Sequence, residues 1–165
     1  MARSVIWTVL FSIIAAILQS SVLGRIPIFK VIPDLALCVI VFSAYVNGTM
    51  PGQISGFFSG LLLDFLSAAP IGLNCLYRTV IGALAGVFKG GFFLDIIFMP
   101  AVLCILATII KALILFLLNL LIGPSVPAYS ITSSVFWIEL GLNAVCAPLL
   151  FLLLRNFKPI LVGRG

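Results

Sequence analysis

Apolar residues dominate six stretches of the chain, and short polar or proline-containing breaks separate them. The stretches cover residues 5–23, 34–46, 51–66, 73–88, 96–122 and 133–154. A helix of ~20 mostly apolar residues is long enough to cross the hydrocarbon layer of a bilayer. The second stretch is short for a full span, and the fifth is the longest. The pattern predicts an all-α polytopic membrane protein in which residues 1–165 form a single domain of about six transmembrane helices.

Glycine recurs at every fourth position in the third and fourth stretches. The two stripes consist of Gly52, Gly56 and Gly60, followed by Asp64, and of Gly82, Gly86 and Gly90, preceded by Arg78. Residues four apart share one face of a helix, and small residues let two backbones approach closely inside a membrane. We therefore expect helices three and four to form a hairpin that packs stripe against stripe.

Each stripe carries one charged residue, and their positions suggest a pair. Asp64 lies near the turn, and Arg78 lies ~7.5 Å deeper by helix rise. Both side chains tilt toward the N-terminus of their own helix, which brings them toward each other in an antiparallel hairpin. We predict a contact between Asp64 and Arg78, direct or through Ser67 or a water molecule. The alternative is that the glycines serve packing alone and Arg78 extends to the surface.

Two further sites follow from the positions of the remaining charges. Lys111 and Glu139 lie at similar depth on consecutive antiparallel helices, so they form a second candidate pair unless Glu139 is solvated near the outer surface. Pro33 and Asp34 mark the start of helix two, because proline suits a first helical turn and an acid suits the positive end of the helix dipole. We interpret Asp34 as a cap or an interfacial residue rather than as a catalytic acid.

Composition supports insertion in a membrane. The chain is 64% hydrophobic and 8% charged, with a mean hydropathy of +1.39, whereas a soluble domain carries about 25% charged residues. The net charge of +5 comes from basic residues scattered near helix ends, a pattern typical of membrane topology rather than of nucleic-acid binding. The side that holds both termini has five of these residues and the other side has two, which predicts cytoplasmic termini. The two sets are Arg3, Lys89, Arg155, Lys158 and Arg164, against Arg25 and Lys30.

The sequence shows no arrangement typical of catalysis. It contains no histidine, which removes the commonest metal ligand and general base. The four cysteines fall singly in different apolar stretches and are interpreted as small buried side chains. With four acidic residues in all, we expect no enzymatic activity, no catalytic residues, no cofactor and no metal site.

The turn between the two glycine stripes resembles a known family. The segment Gly60-Leu-Leu-Leu-Asp64-Phe-Leu-Ser67, continuing to Gly72, together with the Pro33-Asp34 helix start and the six-span layout, is similar to MreD, the rod shape-determining membrane proteins of bacteria. Family members often have glycine where this chain has Ala68.

The resemblance implies a function and partners. It implies a multi-pass protein of the bacterial inner membrane that acts with the single-span protein MreC, the actin-like MreB, the glycosyltransferase RodA and a class B penicillin-binding protein. Such a protein is a scaffold that organises side-wall peptidoglycan synthesis. The resemblance also implies a six-helix fold similar to the substrate-binding subunits of energy-coupling-factor transporters.

That fold similarity leaves an alternative function open. The chain could be the subunit of a transporter that binds a vitamin-type small molecule. Small-ligand sites need several convergent polar groups, and the predicted outer loops offer few, among them Asn74, Tyr77 and Tyr129.

Overall fold

The computed structural model describes residues 2–21, 31–67, 69–90, 98–123, 126 and 132–162. Its described part is all-helical, which confirms the predicted fold class. The helices are α1 (Ala2–Ser21), α2 (Leu35–Asn47), α3 (Thr49–Leu66), α4 (Leu73–Val87), α5 (Phe98–Ile122), α6 (Ser134–Asn156) and α7 (Lys158–Leu161). The first six match the six apolar stretches, with ends shifted by a few residues. The basic residues Arg25, Lys30 and Arg164, and the loop residue Tyr129, lie outside the described residues.

Among the described residues, three helices are long and apolar enough to cross a membrane, namely α1, α5 and α6. Helices α2 and α4 are apolar but shorter. These lengths fit a polytopic membrane protein.

The short helix α2 forms the centre of the bundle. It packs against α1, α3, α4, α5 and α6, and every residue from Ala36 to Ala44 is buried. A helix that is hydrophobic on all sides is typical of a position surrounded by protein. The short apolar stretch at residues 34–46 therefore corresponds to a core helix that longer helices enclose.

The glycine stripes bring α3 and α4 into backbone contact. A Cβ atom on any of five glycines would overlap the backbone of the opposite helix; these are Gly52, Gly56, Gly60, Gly82 and Gly86. Gly52 and Gly82 face each other, and Gly56 faces the carbonyl group of Arg78. The hairpin is therefore as close-packed as the stripe pattern predicts.

Gly90 is an exception to the stripe. It lies beyond the end of α4 with φ +72°, and a Cβ atom there would meet nothing within 4 Å. Gly90 allows the backbone to adopt a positive φ just after the helix, since glycine does so without steric cost.

Helix α7 was not predicted from the sequence. It packs against α1, and its last residue, Leu161, is only 1% exposed. The side-chain amide of Asn47 donates a hydrogen bond of 2.9 Å to the carbonyl of Leu161, and Lys89 Nζ donates one of 2.9 Å to the carbonyl of Asn47. Helix α7 and Lys89, which follows α4, therefore meet at the C-terminal end of α2.

Candidate functional site

Asp34 lies at the N-terminus of the central helix. Its Oδ1 accepts a hydrogen bond of 3.0 Å from the backbone N–H of Leu37, so the predicted helix start at Pro33 and Asp34 is observed as an N-cap. The cap satisfies an N–H group that has no partner inside the helix. Because α2 is enclosed by other helices, this carboxylate is buried.

Arg78 on α4 is the first counter-ion of Asp34. Its Nη2 lies 2.9 Å from Oδ1 and 3.2 Å from Oδ2 of that carboxylate, and the residue is 2% exposed. The guanidinium also lies over the ring of Tyr77, with 5.3 Å between Cζ and the ring centroid. Arg78 is thus neither a surface residue nor the partner of Asp64.

The predicted contact between Asp64 and Arg78 is wrong for a geometric reason. The backbone of Arg78 lies at the seam of the hairpin, against Gly56, whereas its side chain leaves the seam and reaches α2. The four-residue spacing placed both residues on glycine-bearing faces, but it did not account for a third helix beside them.

Lys111, near the middle of α5, is the second cation of the site. Its Nζ lies 2.7 Å from Oε1 of Glu139 and 3.2 Å from Oδ2 of Asp34. Lys111 thus lies beside Glu139, as the similar depth of the two residues predicts. Glu139 is 6% exposed, which argues against the alternative of a solvated carboxylate.

These contacts join the four charges into one structure, which we call the ion network: Asp34, Arg78, Lys111 and Glu139. Its two carboxylates and two cations come from four helices and sum to zero net charge. Removing one partner of a buried ion pair leaves an uncompensated charge, which is costly in a low-dielectric interior. The ion network therefore fixes α2, α4, α5 and α6 relative to one another.

Neutral polar side chains surround the ion network. Asn143 Oδ1 accepts a 2.8 Å hydrogen bond from the backbone N–H of Asp34, and its Nδ2 donates to Thr108 Oγ1 at 3.0 Å. Gln19 Oε1, in the last turn of α1, accepts from the N–H of Leu35 at 2.9 Å. The first turn of α2 is thus held by side chains of α1 and α6. Within the described part of the chain, Nε and Nη1 of Arg78 have no acceptor.

Asp64 lies outside the ion network and has a structural role at the turn of the hairpin. Its carboxylate accepts hydrogen bonds from the backbone N–H groups of Gly72 (2.9 Å), Asn74 (2.9 Å) and Cys75 (3.1 Å), and from Asn74 Nδ2 (2.9 Å). These N–H groups lie at the start of α4, where they have no acceptor within the helix. Asp64 therefore caps α4 from the end of α3.

The other motif residues complete this turn. Gly72 has φ +95°, in the left-handed region that favours glycine. Ser67 ends α3, and its Oγ accepts longer hydrogen bonds from the Ala69 N–H (3.4 Å) and Asn74 Nδ2 (3.5 Å). The segment from Gly60 to Gly72 thus builds the tight connection between α3 and α4.

The central role of Asp34 was missed in the sequence reasoning. A usable signal was present, because two cations inside apolar stretches each require a carboxylate. The sequence next to Asp34 predicts only a local role as a cap, whereas its second role depends on residues that follow it by 44 and 77 positions.

A polar cleft of about 200 Å³ opens beside the ion network. Its walls include Gln19, Ser20, Pro33, Lys111 and Glu139. Among the described residues, no group of three or more histidine, cysteine or acidic side chains is placed to hold a metal ion. Both carboxylates of the ion network are engaged by cations, so the arrangement is suited to holding helices and to binding a polar group.

Comparison with known proteins identifies a family that covers nearly the whole chain. The model of the family described as rod shape-determining protein MreD matches residues 1–158. No curated protein and no solved structure matched the chain.

Proposed function

Because the chain belongs to the MreD family of rod shape-determining proteins, we propose that it is a non-enzymatic membrane scaffold of the cell-elongation machinery. Its proposed partners are an MreC-like single-span protein, RodA, a class B penicillin-binding protein and, on the cytoplasmic side, MreB filaments. In this role it organises side-wall peptidoglycan synthesis and so maintains rod shape. The match over residues 1–158 is the observation that carries the proposal.

The proposed topology places α1 to α6 across the inner membrane with both termini in the cytoplasm. Lys89, Arg155 and Lys158 are exposed, and Lys89 and α7 both contact the residues at the end of α2. This end of the bundle therefore carries positive charge, which favours the cytoplasmic side and the anionic lipid of that leaflet.

The packing of α3 against α4 supports a scaffold. Five glycines hold the two backbones together, and Asp64 closes the turn, so the hairpin is a rigid unit. The same packing leaves the glycine stripes inaccessible to a partner helix, since α3 and α4 already cover them. A partner would instead meet the outer face of the hairpin, which exposes large apolar side chains such as Phe58, Phe65 and Val87.

The proposal can be tested by purifying the tagged protein from its own cells in a mild detergent and identifying the proteins recovered with it. We expect a single-span coiled-coil protein together with wall synthases, and loss of rod shape when the protein is depleted. Recovery of ATPase subunits with a bound vitamin would overturn the proposal in favour of the transport subunit.

A hairpin variant gives the test a matched control. Gly56→Leu should reduce partner recovery and rod shape, because the new side chain separates α3 from α4. Gly141→Leu makes the same change on α6, where a Cβ atom meets nothing within 4 Å, and should leave both unchanged. Normal shape and full partner recovery in Gly56→Leu cells would contradict a scaffold based on the hairpin.

A further inference from the structure

An apolar groove adjoins the polar cleft at the ion network. The groove has a volume of about 580 Å³ and lies between α1 and α6, with the first half of α2 at its base. Leu18 and Leu35 line the groove, and the residues next to them in sequence, Gln19 and Asp34, line the cleft. The polar cleft therefore lies at one end of the apolar groove.

The dimensions of the groove suit a hydrocarbon chain. Along α6 and its C-cap residue, the walls of the groove run from Cys146 to Phe157, a rise of about 16 Å. This is close to half of the ~30 Å hydrocarbon layer, or one leaflet. The walls are almost entirely apolar side chains, including Phe11, Ile14 and Leu153.

The charges of the cleft indicate which head group a molecule would carry if its hydrocarbon chain lay in the groove. The cleft is lined by one ammonium group, on Lys111, and by two carboxylates, on Glu139 and Asp34. Arg78, which pairs with Asp34, brings the total charge of the four groups to zero. The ion network is neutral, so an occupant with a net charge would add an uncompensated charge to a buried site. A head group with one phosphate and one ammonium group matches both the signs and the neutrality.

We propose that the cleft and the groove together form a binding site for one zwitterionic phospholipid of the phosphatidylethanolamine type. The phosphate lies toward Lys111, the ammonium group lies toward Glu139, and one acyl chain lies between α1 and α6. The two groups are already positioned by the contacts of Asp34 with Lys111 and of Lys111 with Glu139, so little ordering is required on binding.

A partner helix fits these observations less well. A spanning helix is about 10 Å wide and about 30 Å long, so most of it would lie outside a groove of this volume. An apolar helix also offers no groups for the charges of the cleft. The lipid accounts for both parts of the site at once.

The experiment is native mass spectrometry of the purified, delipidated protein in mild detergent with equal amounts of phosphatidylethanolamine and phosphatidylglycerol. We expect one phosphatidylethanolamine to be retained in preference to phosphatidylglycerol. Leu149→Trp fills the groove, and Ser20→Trp fills the cleft; both positions are exposed. Each should lower the apparent affinity for phosphatidylethanolamine by about tenfold.

Two further variants separate recognition from folding. Leu152→Trp is a neighbouring leucine change on α6 outside the groove, and it should bind as the wild type does. Glu139→Gln should lose the preference for phosphatidylethanolamine over phosphatidylglycerol; if it does not fold, Ser20→Trp still tests the cleft.

Two outcomes would overturn the proposal. One is equal retention of both lipids by the wild type, with no effect of either tryptophan. The other is unchanged lipid binding in Leu149→Trp together with loss of a co-purifying single-span protein, which would assign the groove to a partner helix.

Discussion

The assignment of Arg78 to Asp34 rather than to Asp64 can be tested by two double-mutant cycles. Asp34→Asn removes the charge but keeps a side chain that caps a helix well, so it isolates the ion network from the cap. Arg78→Met removes the cation and keeps a long apolar side chain. The second cycle combines Arg78→Met with Asp64→Asn.

The magnitudes follow from the charges left in the interior. Asp34→Asn alone leaves Arg78 and Lys111 against the single carboxylate of Glu139, an excess of one buried positive charge. Breaking a buried pair in this way costs about 3–5 kcal/mol. In the double variant with Arg78→Met the neutral contact of Lys111 with Glu139 remains. We therefore expect a coupling of about 2 kcal/mol between positions 34 and 78.

The second cycle should show no such coupling. Asp64 and Arg78 have no hydrogen-bond partner in common within the described part of the chain, so their effects should add to within ~0.5 kcal/mol. The assay is the free energy of unfolding in mixed micelles, followed by the fluorescence of the two tryptophans. Strong coupling between positions 64 and 78, with additivity between 34 and 78, would contradict the pairing of Arg78 with Asp34.

Three more predictions concern the packing of the bundle, and each is measured by thermal unfolding in detergent. Gly56→Leu should destabilise the protein by about 3 kcal/mol, because its side chain overlaps the carbonyl of Arg78. Asp64→Ala should cost about 3 kcal/mol, because it leaves the N–H groups at the start of α4 without an acceptor. Leu161→Ala should cost about 2 kcal/mol, because it opens a cavity where the tail packs into the core.

Matched changes show whether these losses are specific. Gly141→Leu introduces the same side chain into open space and should not lower the melting temperature. Ser67→Ala removes only long, exposed hydrogen bonds and should have little effect. If Ser67→Ala destabilised the protein as much as Asp64→Ala, the turn would be held by the hydroxyl rather than by the carboxylate.

Local patterns determined much of this fold. Long apolar runs bounded by glycine and proline located the first six helices, because a run of that length has few other ways to satisfy its backbone in a membrane. The four-residue glycine spacing identified the contact between α3 and α4, because both stripes lie in one hairpin. The sequence pattern does not predict α7, because a helix of four residues is too short to show a helical period.

The site was harder to predict because its contacts involve several helices at once. Sequence spacing gives the depth of a residue and its face relative to its own helix, which was sufficient for Lys111 and Glu139 on consecutive helices. It does not give the position of α2 beside the hairpin, on which the partner of Arg78 depends. Asp34 also had a complete local explanation as a cap, so nothing in its surroundings called for a second role.

The short central helix explains why four charges gather in an apolar chain. At 13 residues, α2 begins inside the bundle, where its first N–H groups need an acceptor. Asp34 supplies that acceptor, but a buried carboxylate needs a cation, and Arg78 and Lys111 together exceed it by one positive charge until Glu139 restores neutrality. The physical requirement is therefore zero net charge rather than any single contact. The double variant Lys111→Met with Glu139→Gln should then unfold at a higher temperature than the single variant Lys111→Met. If the double variant were less stable than the single variant, the individual hydrogen bonds would matter more than the balance of charge.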